Sequence, residues 1–460
     1  MNRSSPALGL ICALFLTGWV ADRAVCQAED GDPDREADVW VRLLESGSGG
    51  ADAVLERMAG AGGEPARALT RVWKMLVTDS SAGALRGGVI LAFRLHDPQR
   101  ARSLARAASH RLGEGAAREL LLAYTREAER GRYPAEAAWA ADRLAAHAGG
   151  RPERLRWRLL AADMSLLARD SAGARRSLAA VVDESEPEGE AHRHALERLF
   201  ALAAARRGGA SRAEALYRRY VSSYGDAAPA LAGMKVELSR AFVRERSLQK
   251  AARILEQDRV SPQGGSHGRD RERGEGEASA ILEGQRAMLA LYSGRPSIVL
   301  AHLRKVVAAT ELEGSRRTRW IRLLVAVEAA DSCEVVWLGR TLLALARAAS
   351  ASDAARAVPS WPEAPGSGAW PAILTVVADG LSRAGWSMES ARVLRELVEA
   401  YPHAPEAPGG MLALARQARE GDPEASRRWL VRLVTTYPGS ALAPVARRLL
   451  AELGPADPGS

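Results

Sequence analysis

The chain repeats itself, and the repeat restricts its fold more than any other feature. One unit reads Leu374-x-x-Val377-Ala378-x-x-Leu381, then Gly385-Trp386, then Ser390-x-x-x-Leu394-x-x-Leu397, and closes on Tyr401-Pro402. The next reads Met411, Leu414, Ala415 and Ala418, then Gly421-Asp422-Pro423, then Ser426, Leu430 and Leu433, and closes on Tyr437-Pro438. Apolar residues three and four apart mark one face of a helix, so each unit is two helices around a turn. Small residues at Ala378 and Ser390 let the two approach closely. A proline after each tyrosine forces that tyrosine out of helical geometry and ends the second helix.

Earlier copies follow the same template. Trp157, Leu160, Ala161 and Met164 lead through Asp170 and Gly173 to Ala174, Leu178 and Val181. Leu196, Leu199, Phe200 and Ala203 lead through Gly208-Gly209 to Ala213, Tyr217, Tyr220 and Tyr224-Gly225. A fainter copy uses Met234, Leu238, Ala241, Ala251 and Leu255. Fixed-period self-similarity of this kind means stacked units, none of which can bury its apolar face alone. Composition agrees, because Ala, Leu, Arg and Glu dominate and aromatics are only 5% of the 460 residues.

These motifs resemble the tetratricopeptide repeat family, especially its Tyr-Pro-ending type in bacterial envelope proteins, over roughly residues 152–258 and 370–454. The family's first-helix glycine is replaced by Ala161, Phe200, Ala378 or Ala415. The resemblance implies an all-α, superhelical solenoid of antiparallel helix pairs in two blocks, with a concave groove lined by the first helix of each pair. The expected order is an N-terminal signal segment over 1–28, irregular helical pairs over 34–150, repeats over 151–258, a mobile loop over 259–279, helical pairs over 280–349, a linker over 350–369 and repeats over 370–454. Residues 281–348 are expected to form two pairs, one turning at Gly294-Arg295-Pro296 and the other joining Trp320–Ala330 to Val335–Ala348.

The N-terminal expectation rests on Arg3 followed by an uncharged apolar run from Ala7 to Ala21 that stops before Asp22. That length suits the core of a signal peptide better than a bilayer span, which needs about 20 residues. Small residues then place cleavage after Cys26 or Ala28, which predicts a secreted or periplasmic chain with no span after cleavage. Cys333 would then be the one cysteine of the mature chain, so no internal disulfide is expected, and the following Val335-Val336-Trp337 suggests that it is buried.

The formal charge of +8 does not read as a nucleic-acid signature. Arginines are spread along the chain and interleaved with acids, as in Arg169-Asp170 and Arg395-Glu396, which is the pattern of solvated helix faces. Catalytic and metal motifs are not found: there is no phosphate loop, nucleophile elbow, zinc helix or paired cysteine spacing, and no cofactor or metal is implied. His192 and His194, two apart on a helix, point to different sides.

The reading is therefore a non-enzymatic interaction scaffold of the bacterial cell envelope that binds a peptide or partner protein in its groove. A helical-toroid enzyme, or an accessory subunit of an envelope enzyme, is the first alternative; a nucleic-acid-binding helical repeat protein is the second. By the family's geometry the groove residues are those between the core positions of the first helices: Thr375, Asp379 and Arg383, then Arg416 and Arg419, and Arg158 in the earlier block. Arg383, Arg416 and Arg419 together would form a basic strip suited to an acidic partner.

The phase of the second helix yields a prediction. Leu394→Ala or Leu397→Ala should each cost about 2 to 5 kcal/mol in urea unfolding, whereas Arg392→Ala and Glu399→Ala should be nearly neutral. Equal small losses at all four positions would mean that the buried face is misassigned.

Overall fold

The computed structural model describes residues 33–60, 65–79, 81–225, 230–256, 269–309, 314–358 and 368–454. Among these, every regular element is an α-helix and no strand occurs. The expected signal segment over 1–28 lies outside the described residues. No described helix is long and apolar enough to cross a membrane.

The chain divides into two units, residues 1–199 and 200–460. In the first, α1 (Pro33–Leu44), α2 (Ser48–Gly60) and α3 (Pro65–Asp79) pack around α4 (Ala82–Arg94). Gly87 is required there, because a β-carbon on it would stand 2.0 Å from the carbonyl oxygen of Leu44. From α4 onward the unit is a run of antiparallel pairs: α4 with α5 (Pro98–Arg111), α6 (Glu114–Arg130) with α7 (Pro134–Ala146), and α8 (Arg151–Leu167) with α9 (Ser171–Glu184). Its core runs from Ala37 and Trp40 to Leu144. Helix α10 (Glu190–Ala205) crosses the division.

Six of the interhelical turns share one form. The first helix ends, one residue adopts the left-handed conformation, and the next N–H reaches back five residues to a carbonyl, as in the Schellman motif. The left-handed residues are His96, Arg132 and Arg169 in the first unit and Arg246, Gly294 and Gly385 in the second, with φ between 56° and 84°. The closing bonds are Asp97 N to Ala92 O, Tyr133 N to Ala128 O, Asp170 N to Ser165 O, Ser247 N to Phe242 O, Arg295 N to Ala290 O and Trp386 N to Leu381 O, all 2.8 to 3.0 Å. Several second helices are then started by a cap: Asp97 accepts from Arg100 N, and Asp170 from Gly173 N, each at 2.8 Å. Proline at the first helical position follows at Pro98, Pro134 and Pro296, where its missing N–H costs nothing. Residues 82–146, expected to be irregular pairs, thus carry the same hairpin as the later repeats.

The second unit contains α11 (Ala210–Tyr224), α12 (Leu231–Arg244), α13 (Leu248–Glu256), α14 (Arg269–Tyr292), α15 (Pro296–Ala308), α16 (Gly314–Ala329), α17 (Ser332–Arg347) and α18 (Ala351–Ala357). It ends in α19 (Trp370–Arg383), α20 (Ser387–Ala400), α21 (Ala407–Ala418), α22 (Pro423–Thr436) and α23 (Ala443–Glu452). The repeat motifs are realised closely. Leu374, Val377, Ala378, Leu381, Ser390, Leu394 and Leu397 are all buried, and the Ser390 hydroxyl donates to Ala378 O at 2.9 Å across the seam. Tyr401 and Tyr437 take the same backbone conformation, φ −128° with ψ 57° and 60°, as the following prolines demand. The Tyr437 hydroxyl donates to Pro402 O, tying the end of one repeat to the end of the one before.

Four sequence expectations are corrected. The mobile loop over 259–279 overlaps α14, which already starts at Arg269; Arg and Glu favour helix without apolar periodicity, and Glu277 is ion-paired to Arg316 at 2.9 Å. The linker over 350–369 holds α18, capped by Ser350 accepting from Asp353 N and anchored by buried Ala354. The helices 314–329 and 332–347 do not form a pair. Instead α16 packs on α15 and α19, while α17 packs back on α12, α14 and α19. Arg347 Nε donates to Val243 O at 3.1 Å, and Gly339 abuts Leu291, where a β-carbon would stand 2.1 Å from the carbonyl oxygen. Cys333 is exposed, because it lies in the first turn of α17, behind the Asp331–Glu334 capping box, and burial starts at Glu334 and Val335.

The left-handed turn generates the second prediction. A side chain with a β-carbon pays about 1 to 2 kcal/mol in that conformation, and exposed Arg169 pays it at φ 60°. Arg169→Gly should raise the urea midpoint, and Arg169→Val should lower it. A lower midpoint for the glycine variant would show that the arginine side chain offsets its backbone strain.

Candidate functional site

The first helices of the C-terminal repeats leave a groove between them. Helices α16, α19, α21 and α23 supply most of its wall, enclosing a cavity of about 660 Å3. The floor is small and apolar: Ala372, Ala378, Gly409, Gly410, Leu412, Ala413, Leu442 and Val445. Two large aliphatic residues of α16 also face it while exposed, Ile321 at 40% and Val325 at 48%. Apolar side chains left in water beside a cavity mark a surface with something to bury.

Polar groups stand around this floor. Thr375 and Asp379 line it from α19, Arg416 and Gln417 from α21, and Arg322 from α16. The Thr375 hydroxyl is used internally, donating to Pro371 O at 2.9 Å. Asp379 is paired with Arg383 one turn on at 3.0 Å. Arg322 and Arg416 are exposed and make no ion pair among the described residues. Gln417 donates through Nε2 to Ser390 Oγ at 3.1 Å, while its buried Oε1 accepts nothing.

The six residues read from the sequence therefore separate. Thr375, Asp379 and Arg416 come together in the groove. Arg383 is held by Asp379, through its side chain and through Asp379 O at 3.2 Å. Arg419 does not line the cavity; it reaches to Glu452 on α23 at 3.0 Å. Arg158 belongs to the first unit, where it pairs with Glu184 and donates to Ala180 O at 3.3 Å, pinning α8 to α9. The expected basic strip of Arg383, Arg416 and Arg419 is thus not continuous, because two of its members have carboxylate partners. Near Arg383, burial together with the charges of Arg383 and Arg240 pushes the Arg319 guanidinium down to about 10, so positive charge is already crowded at that end of α19.

Ile321, Arg322, Val325 and Gln417 are the groove residues that sequence reasoning missed. A signal for the first three exists: from Trp320 to Val327 every residue but Arg322 is apolar, more than one helix face can bury. Trp320, Leu323, Ala326 and Val327 fill the core, and Ile321 and Val325, four apart, are left facing the groove.

No three acidic, histidine or cysteine side chains gather as a metal site among the described residues. His192 is buried and His194 exposed, on different sides of α10. The arrangement is that of a tandem helical-repeat protein with a ligand-sized groove. No protein-family profile matches the chain, and no curated protein matches it. Among solved structures it is similar to a circular tandem repeat protein with novel repeat topology and enhanced subunit contact surfaces, at 17% identity over 97% of this chain and 96% of the other. Their TM-score is 0.17, too low to share a backbone path, so the fold class rests on the helices described above.

The ion pairing separates two neighbouring arginines by role. Arg419→Ala should lower stability by about 0.2 to 1 kcal/mol, the range of a half-exposed pair, and Arg416→Ala should leave it unchanged. Chemical unfolding of both variants tests this; equal losses would give Arg416 a structural role.

Proposed function

We propose that this protein is a non-enzymatic scaffold of the tetratricopeptide type, exported to the bacterial cell envelope, that holds a peptide segment of another protein in the groove of its C-terminal repeats. The observation that carries the proposal is the pairing, in one cavity, of exposed Ile321 and Val325 with the free guanidinium groups of Arg322 and Arg416. An apolar floor gives a peptide side chain somewhere to leave water, and arginines at the margin select carboxylates and fix register. The N-terminal pattern of Arg3, the Ala7–Ala21 run and the small residues to Ala28 supports the export part of this reading.

Selection of a random displayed-peptide library on the immobilised full chain tests the groove. Peptides with apolar residues flanked by an acid should be enriched, and their affinity should fall roughly tenfold or more on Arg322→Glu/Arg416→Glu, with helix content and melting unchanged. Selected peptides that bind the double variant as tightly as the original chain would remove the groove as their site.

A further inference from the structure

We infer that the C-terminal block carries a second binding site, a cleft between the second helices α20 and α22, that takes an acidic protein segment bearing an apolar anchor. This site does not rest on the groove reading, because apart from Gln417 its lining residues are different ones.

The cleft encloses about 710 Å3 and is walled by α20 and α22 over a floor from α21. Met388 stands on one wall at 80% exposure, the most exposed large apolar residue among those described, in the first turn of a helix whose Val393, Leu394, Leu397 and Val398 are buried. Trp429 faces it from the other wall, partly buried, with the Arg432 guanidinium 5.5 Å from its ring centroid. A methionine and a tryptophan across a cleft form an adaptable apolar clamp.

The charge around that clamp is one-sided. Arg395, Arg428 and Arg432 line the cleft. Only Arg428 has a carboxylate within reach, Asp422 at 4.0 Å, and both of these are well exposed. Arg395 and Arg432 pair with no carboxylate among the described residues. At 5.5 Å from the Trp429 centroid the Arg432 guanidinium lies within cation–π range, and the attraction restrains a side chain that has no carboxylate partner among the described residues. The complement of three arginines, one acid and an apolar clamp is an acidic segment with one large apolar residue. The recessed, apolar-centred shape favours a peptide over a lipid surface, which needs a protruding contact, and over a phosphodiester backbone, which has no use for Met388.

Gln417 lines both the cleft and the groove, so the two sites share a wall and one block offers two faces to two ligands. The test uses the full chain and a displayed random-peptide library, followed by anisotropy titration of the enriched peptides. A class with two or more acidic residues beside a Leu, Met or Phe should lose roughly tenfold or more affinity on Arg395→Glu/Arg432→Glu, and also on Met388→Asp, whose exposed position spares the fold. The same class should keep its affinity on Arg322→Glu/Arg416→Glu, which distinguishes cleft from groove. The inference is overturned if no such class is enriched, if it is indifferent to the cleft variants, or if the cleft arginines instead carry binding to anionic phospholipid vesicles or single-stranded DNA.

Discussion

The hydrogen bond that closes six of the interhelical turns sets the geometry of those helix pairs. An N–H reaching back five residues fixes the angle at which the chain leaves the first helix, and the left-handed residue before it reverses the direction. Repeated at residues 96, 132, 169, 246, 294 and 385, it delivers each second helix antiparallel to its first, and the apolar faces follow. Where the chain supplies glycine, as at 294 and 385, the turn is unstrained; where it supplies His or Arg, packing of the flanking helices carries the strain. The turn is therefore enforced by the pair as much as by its own residues.

That division explains what the sequence makes legible. Leu394, Leu397, Val377 and Leu430 could be placed in the core because a period of three and four survives any detail of the turn. Tyr401-Pro402 and Tyr437-Pro438 marked repeat ends because a proline restricts its predecessor wherever it stands. The helix pairs at residues 82–146 read as irregular because His96 and Arg132 do not advertise a left-handed conformation as glycine does, although Asp97-Pro98 and Tyr133-Pro134 carry the cap and the first-turn proline. Helix α17 was legible as a helix but its packing was not: its partners lie on α12 and α14, and no local pattern encodes a distant neighbour.

The candidate sites were legible in the same measure. Helix phase found Thr375, Asp379 and Arg416, since the residues between core positions must point elsewhere. It could not tell which arginines would be consumed by Asp379 or Glu452, because that depends on how repeats are spaced across the stack. The second cleft was invisible for a similar reason. Met388 and Trp429 belong to successive repeats, and each alone passes for an ordinary apolar residue. What marks both sites physically is unpaired arginine beside exposed apolar side chains, Arg322 and Arg416 with Ile321 and Val325 in the groove and Arg395 and Arg432 with Met388 in the cleft.

Helix α17 changes the character of the second unit. In an array where every repeat touches only its neighbours, an end can fray without consequence for the middle, and stability grows almost additively with length. Arg347 donates to Val243 O, 104 residues back, and its carbonyl accepts from Arg207, 140 residues back, while Gly339 is pressed on Leu291. Such a clasp converts part of a one-dimensional stack into an all-or-none body, slower to assemble because a long loop must close first, and it stops unzipping of the later helices from passing α17.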